Sequence, residues 1–190
     1  MALEHALLVS LRERPAAGLE LARRFDRSIG FFWSATHQQI YKVLRRMEDA
    51  GWVASAATAQ EGRREKTIYT VTPQGERALA QWIEQTTPRE AFRSELAVKM
   101  RAASYGDRTA LLTEIEKRID DHRVRLAHYE AMRDRDYSDP AALTGQDLDH
   151  YLVLRGGLLM EQFWITWLSE YLEAHRVSTR STTDTKASDE

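Results

Sequence analysis

The sequence predicts a mainly α-helical chain carrying one small β-hairpin, and three observations support that prediction. Apolar residues recur at helical spacing in several stretches, most cleanly at Ile40, Val43, Leu44 and Met47 of "THQQIYKVLRRMEDAGWV". The period then changes to short β-compatible runs, "WVASAAT" and "TIYTVT", separated by the polar, glycine-bearing "AQEGRREK". Beyond residue 86 the helical pattern returns and persists to about residue 175. The 190 residues, 43% hydrophobic and 29% charged, suffice for one large domain or two small ones with a real core.

The first helix is "LEHALLVSLRERP", where Leu3, Leu7 and Leu11 share a face with Leu8 beside them and Pro15 stops the run. "AAGLELARRFDRSIG" forms a second, with Leu19, Leu21, Ala22 and Phe25 apolar and Gly30 at its end. Ser34 or Thr36 can cap the third, and Thr36 with Gln39 has capping-box spacing. That helix runs to about Ala50, with Gly51 placed as a left-handed C-terminal cap. After the hairpin, Thr72-Pro73 opens a fourth helix that turns Leu79, Trp82 and Ile83 inward. Pro88 marks a break. "RSELAVKMRAAS" is helical and ends near Tyr105-Gly106.

A long helix from Thr109 to about Arg135 carries Leu112, Ile115, Ile119, His122, Leu126 and Tyr129 at alternating steps of three and four, a heptad seam. So short a seam does not make an independent coiled coil, and a bundle within one chain is its plainer reading. "YSDPAALTGQD" is a loop. The last helix, Asp147 to His175, is apolar around most of its girth and needs covering on most of it, which a second subunit would supply. The expected dimer contacts are Leu112, Ile115, Ile119, Leu126, Leu158, Phe163 and Trp167. Residues 176–190 have no apolar period and are expected to be disordered.

Residues 1–83 thus read helix, helix, helix, strand, strand, helix, the order of a winged helix-turn-helix. Opposite the buried stripe of the third helix stand Gln38, Lys42 and Arg45, with Ser34 close by; Gln39 and Arg46 flank one edge and Tyr41 the other. A solvated amphipathic helix would account for this face alone. It would not account for the second basic group, Arg63, Arg64 and Lys66, at the hairpin tip, which this fold brings to the same surface. Ser34, Gln38, Lys42 and Arg45 are therefore expected in the major groove, where amides read adenine and arginine grips guanine. Gln39, Tyr41 and Arg46 are expected on phosphate, and the wing cations on phosphate or minor groove. The charge distribution agrees: the formal total is −2, yet residues 1–75 hold 11 Lys/Arg against 8 Asp/Glu.

Other classes find little support. With no cysteine, disulfides and thiolate metal sites are excluded, and a reducing cytoplasm is the expected location. The N-terminus lacks signal-peptide features and no apolar run has membrane-spanning length. No G-x-S-x-G, glycine-rich phosphate loop or H-E-x-x-H occurs, and Asp147-x-x-His150 and Asp121-His122 are pairs without further ligands at metal spacing, so neither catalysis nor a cofactor is expected. A winged-helix module that binds protein should present a mixed or acidic helix face, whereas here no acid precedes Glu48.

"GLELARRF", "FFWSATHQQIYKVLRRMEDAGWV", "RREKTIYTVTPQG" and Trp82 resemble the PadR family of bacterial transcriptional regulators over about residues 3–85. The C-terminal half resembles the subgroup with a short helical domain, in helix layout and in "RGGLLMEQFW". Lys42 departs from the pattern, since the family often has proline there. The resemblance implies a homodimeric repressor whose C-terminal helices pack across a two-fold axis, and a response to phenolic acids, other aromatic molecules or, in some members, hydrophobic drugs. It also implies that Tyr41 meets the DNA backbone. The expected organisation is a DNA-binding domain at 1–85, a dimerisation and effector domain at 86–175, and a tail. The expected partners are double-stranded DNA bearing an inverted repeat, a second copy of the chain and a small aromatic effector. The aromatic effector is expected near His5, Trp33, Trp82, Phe92, Arg155 and Trp164, in a pocket where the halves meet. Each of these also has a plainer role: His5 and the aromatics as core, Arg155 in an ion pair.

Overall fold

The computed structural model describes residues 2–27, 35–60, 63–88 and 92–187, with the backbone alone described at 2, 25–27, 58–60, 63–65 and 177–187. The chain divides into two compact units, Met1–Glu90 and Ala91–Glu190.

In the first unit, helices α1 (Ala2–Glu13), α2 (Gly18–Arg27) and α3 (His37–Asp49) precede strands β2 (Val53–Gln60) and β3 (Arg63–Val71) and helix α4 (Pro73–Ile83). A two-residue strand, β1 (Ala16–Ala17), precedes α2. It pairs antiparallel with β3, Ala16 opposite Tyr69 and Ala17 opposite Ile68, so the sheet has the order β1-β3-β2. Two alanines carry no strand signature, and the sequence assigns them to the second helix, which begins instead at Gly18. The core is built as the periodicity predicts: Leu7, Leu8 and Leu11 of α1, Leu21 and Ala22 of α2, the α3 stripe and Val53 are all buried. Leu79 and Trp82 of α4 are half-buried, but Ile83 is exposed and not inward, because the helix ends there, clear of the core.

Two local devices hold the end of α3 against the start of α4. Gly51 takes φ +70°, the left-handed cap expected of it. The Thr72 hydroxyl donates to the Gly51 carbonyl at 2.6 Å and accepts from the Gly75 amide at 3.1 Å, opening α4 with Pro73 in its first turn.

The second unit consists of α5 (Glu95–Arg101), α6 (Arg108–Asp136) and α7 (Gly145–Ala187), with short 3-10 turns at Ala103–Tyr105 and Pro140–Ala142. Its core joins Leu96 and Met100 of α5, Leu111, Ile115 and Ile119 of α6, and Leu168 and Leu172 of α7. The residues expected at a dimer contact differ in how far the protomer itself covers them. Ile115 and Ile119 are at most 3% exposed within one chain and pack in the cluster that joins α6 to α7, and Leu158 is 3% exposed as well. Leu112 and Trp167 are half-buried against the same cluster and Leu126 is half-buried; Phe163 is exposed. The last helix also continues to Ala187, into the segment expected to be disordered. Residues 176–187 contain neither glycine nor proline to stop it. Among the described residues, no helix is long and apolar enough to cross a membrane.

Candidate nucleic-acid interface

Helix α3 begins in a capping box. The Gln39 amide donates to Thr36 Oγ1 at 3.2 Å, and the Thr36 amide donates to Gln39 Oε1 at 2.8 Å. Of the two caps the sequence allows, the helix uses Thr36. Ile40, Val43, Leu44 and Met47 are buried, which fixes the rotation of the helix and turns its opposite face outward. Gln38, Tyr41, Lys42, Arg45 and Arg46 then line one shallow surface, with His37 and Asp49 at its ends. Such a face, on a helix whose width suits a major groove, can donate to base edges and phosphates alike.

The predicted contacts do not share one environment. Lys42 and Arg45 are exposed and form no ion pair with any described residue. Arg46 instead pairs with the Glu4 carboxylate of α1. Lys66 of β3 lies 2.9 Å from Glu20 of α2, whose other oxygen is 3.6 Å from Arg24. Gln39 spends its side-chain oxygen on the helix cap and so serves folding first. Tyr41 is 40% exposed, and its ring lies over Gly18, where an added Cβ would fall 2.3 Å from Cε1. Gly18 thus sets how closely α2 approaches α3. Ser34 and Trp33 lie outside the described residues, as do the side chains of Arg63 and Arg64. Neither Gly18 nor the two acids Glu4 and Glu20 stands out in the sequence, since each acts on a residue far along the chain.

Two charge effects accompany this face. The Lys66 ammonium, hydrogen-bonded to Glu20, holds its carboxyl below the usual range, with Arg14 and Arg24 adding to the effect. Burial raises the Tyr69 phenol, with Glu48 adding to the effect.

The residues expected around an effector fall into separate groups. His5 stacks on Trp82 at 4.5 Å and 8°, with Trp52 at 5.7 Å, a packed aromatic set of the first unit. Phe92 stacks on Trp164 in the second unit, at 5.9 Å. Arg155 is on the exposed side of α7. The face of Trp164 also carries His122, at 5.6 Å and 7°. His122 Nδ1 is 2.5 Å from Glu161 Oε2, and Arg125 Nε donates to the other Glu161 oxygen at 3.2 Å. Ser94, Leu96, Arg118, Asp121, His122, Arg125 and Trp164 line a recess of about 300 Å³. Sequence reasoning missed Glu161, one acid in a greasy helix whose partners are 36 and 39 residues away. No group of acids and histidines among the described residues could hold a metal ion.

Comparisons with known proteins agree with this architecture. The family model of the PadR-like transcriptional regulators matches residues 7–81, and that of the virulence activator alpha C-terminal domain matches residues 92–176. A probable transcriptional regulator of Mycobacterium tuberculosis, Rv1176c, is 46% identical over 184 residues, covering 92% of this chain and 97% of that protein. The Vibrio cholerae virulence activator AphA is similar in structure with a TM-score of 0.76 at 32% identity, covering 93% of this chain and 99% of that one. Bacillus subtilis PadR, a negative transcriptional regulator, is 28% identical over 90% of this chain and 95% of its own. Its complex with operator DNA superposes with a TM-score of 0.79 at 27% identity, over 92% and 99% of the chains. Its complex with p-coumaric acid does so with a TM-score of 0.70 at 26%, over 90% and 93%.

Proposed function

This chain belongs to the PadR-like family of transcriptional regulators, and from that premise we propose that it is a homodimeric repressor released from an inverted-repeat operator by a small aromatic acid. It is a DNA-binding regulator of PadR type. The observation that most supports the finer reading is the outer face of α3, where Gln38, Lys42 and Arg45 are exposed together on a helix locked from behind by its buried stripe. Gln38, Lys42 and Arg45 face the groove and its base edges there, and Tyr41 takes a phosphate contact that sets the register. The first unit is the DNA reader. The second supplies the dimer contact and the effector site.

The effector site rests on the Trp164 recess. Trp164 gives the recess an aromatic wall that suits an aromatic ring, and Arg118, His122 and Arg125 line it; these are already paired with Glu114 and Glu161, so a ligand carboxylate binds there by competing with those acids. The ligand acts by preferring a dimer geometry that cannot span both half-sites. That the B. subtilis relative is a negative regulator with a p-coumaric acid complex favours this reading; that the V. cholerae relative is an activator leaves the sign to a reporter. The test is footprinting on the DNA upstream of the chain's own gene, with and without p-coumaric acid. Two protected half-sites about one helical turn apart, lost on adding the acid, are expected. A single asymmetric footprint counts against the dimer, and protection indifferent to aromatic acids counts against the effector.

A further inference from the structure

We propose that Glu4 and Glu20 are specificity-determining residues of the DNA interface. In the free protein each neutralises one cation at the margin of that face, and so restrains its attraction to DNA of arbitrary sequence. The inference rests on the reading of the first unit as a DNA-binding domain.

The cations of this face fall into two groups. At the centre of α3, Lys42 and Arg45 have no ion-pair partner among the described residues. At its edge, the Arg46 guanidinium is paired with Glu4, whose side chain is only 13% exposed and so holds a fixed position. On the wing, Lys66 Nζ is 2.9 Å from Glu20 Oε2, while Glu20 Oε1 is 3.6 Å from Arg24 and 4.0 Å from Arg14. Both acids come from helices that precede α3, and neither pair is a local i,i+4 contact.

Loose binding to arbitrary DNA draws nearly all its free energy from the counterions that unpaired cations displace. A cation already neutralised by a carboxylate displaces few. In a tight, sequence-matched complex a phosphate comes close enough to compete for the same guanidinium or ammonium, so the cation is recovered there. Pairing the marginal cations and leaving the central ones bare therefore weakens arbitrary binding more than operator binding.

The experiment measures fluorescence anisotropy of the full chain and its E4Q and E20Q variants on the operator duplex and on a scrambled duplex, between about 50 and 200 mM salt. Glutamine keeps the size of each side chain and removes its charge. Each variant is expected to bind the scrambled duplex about threefold more tightly at the low-salt end, with the slope of log K against log salt steeper by about 0.9. Operator affinity rises less, so the specificity ratio falls. The effect of E4Q should vanish in an R46Q background, and that of E20Q should lose most of its size in a K66Q background, where Arg14 and Arg24 alone still face the acid. D120N, the same charge change on α6, should leave both duplexes unaffected. Unchanged slopes, equal gains on both duplexes, gains that persist undiminished in R46Q and K66Q, or weaker operator binding would each overturn the proposal. If one variant melts below the assay temperature, the other carries the test. A wild-type chain showing no salt-dependent binding to any duplex would instead defeat the DNA-binding reading itself.

Discussion

Gly75 is buried in the first turn of α4, and a Cβ placed there would lie 2.2 Å from the carbonyl oxygen of Trp52. That oxygen already accepts from the Thr72 amide at 3.0 Å, so it cannot retreat without breaking the link between β2 and α4. Gly75→Ala should therefore cost about 1–3 kcal/mol, read as a drop in the denaturant midpoint, although alanine is the better helix former. At the DNA face the contrast lies between neighbours. Arg45→Ala should lower operator affinity by about 1–3 kcal/mol and relax the preference at one base position, as competition against a randomised duplex pool would show. Arg46→Ala, removing a cation already paired, should cost less than that on the operator and least on a scrambled duplex. The Thr36 and Gln39 box, the buried stripe and the Gly51 cap were all legible in the sequence because each lies within one helix or at its end. Glu4, Glu20, Glu161, Gly18 and Gly75 were not. Each acts on a residue brought close only by folding, or guards a space that only folding defines.

Between elements, Ile115 and Ile119 of the α6 seam are buried within their own chain. The period of that seam announces that a helix packs along it, but the same alternation of three and four serves a neighbour in the chain or a second copy, so ownership was not legible. Ile115→Ala should test it. With Ile115 fully buried, the substitution is expected to cost about 2–5 kcal/mol and to lower the melting temperature equally at all protein concentrations, whereas an interface residue would show its loss mainly on dilution. The same packing carries a pH dependence. Tyr129 is buried, and desolvation raises its phenol above the ordinary value, with the Glu161 charge adding to the effect. A raised folded-state value means that the unfolded chain ionises first. The contribution of Tyr129 to stability is therefore whole below about pH 10 and is lost as pH rises through the folded value. Spectrophotometric titration should show a tyrosine component that ionises late, together with falling chemical stability over that range. Tyr129→Phe should remove both. The strand β1 marks the opposite limit: two alanines become a strand only because β3 offers them an edge.

For the molecule as a whole, α7 carries more apolar surface than α5 and α6 cover. After α6 and α5 have taken their share, Leu152, Val153, Leu159, Met160 and Phe163 remain 51–55% exposed. Burying the remaining half of such side chains is worth roughly 1 kcal/mol each, so a symmetric contact using both copies gains on the order of 10 kcal/mol. Association costs about 4–15 kcal/mol, which leaves a dimer within reach without help from the seam residues that the protomer has already consumed. Of the α7 residues expected at a dimer contact, Phe163 is exposed while Leu158 is buried and Trp167 half-buried, because periodicity counts apolar positions without showing which of them a neighbour has filled. Phe163 is the sharpest probe, being large and exposed and in contact with Trp164 and Trp167, at 5.6 and 6.0 Å between ring centroids, on one side only. Phe163→Glu should leave the melting profile of the protomer close to wild type, convert the sedimenting species to one subunit at micromolar concentration, and weaken operator binding at least tenfold while half-site binding persists. An unchanged sedimentation coefficient would move the interface off this face of α7, and a collapsed melting profile would return Phe163 to the protomer's own core.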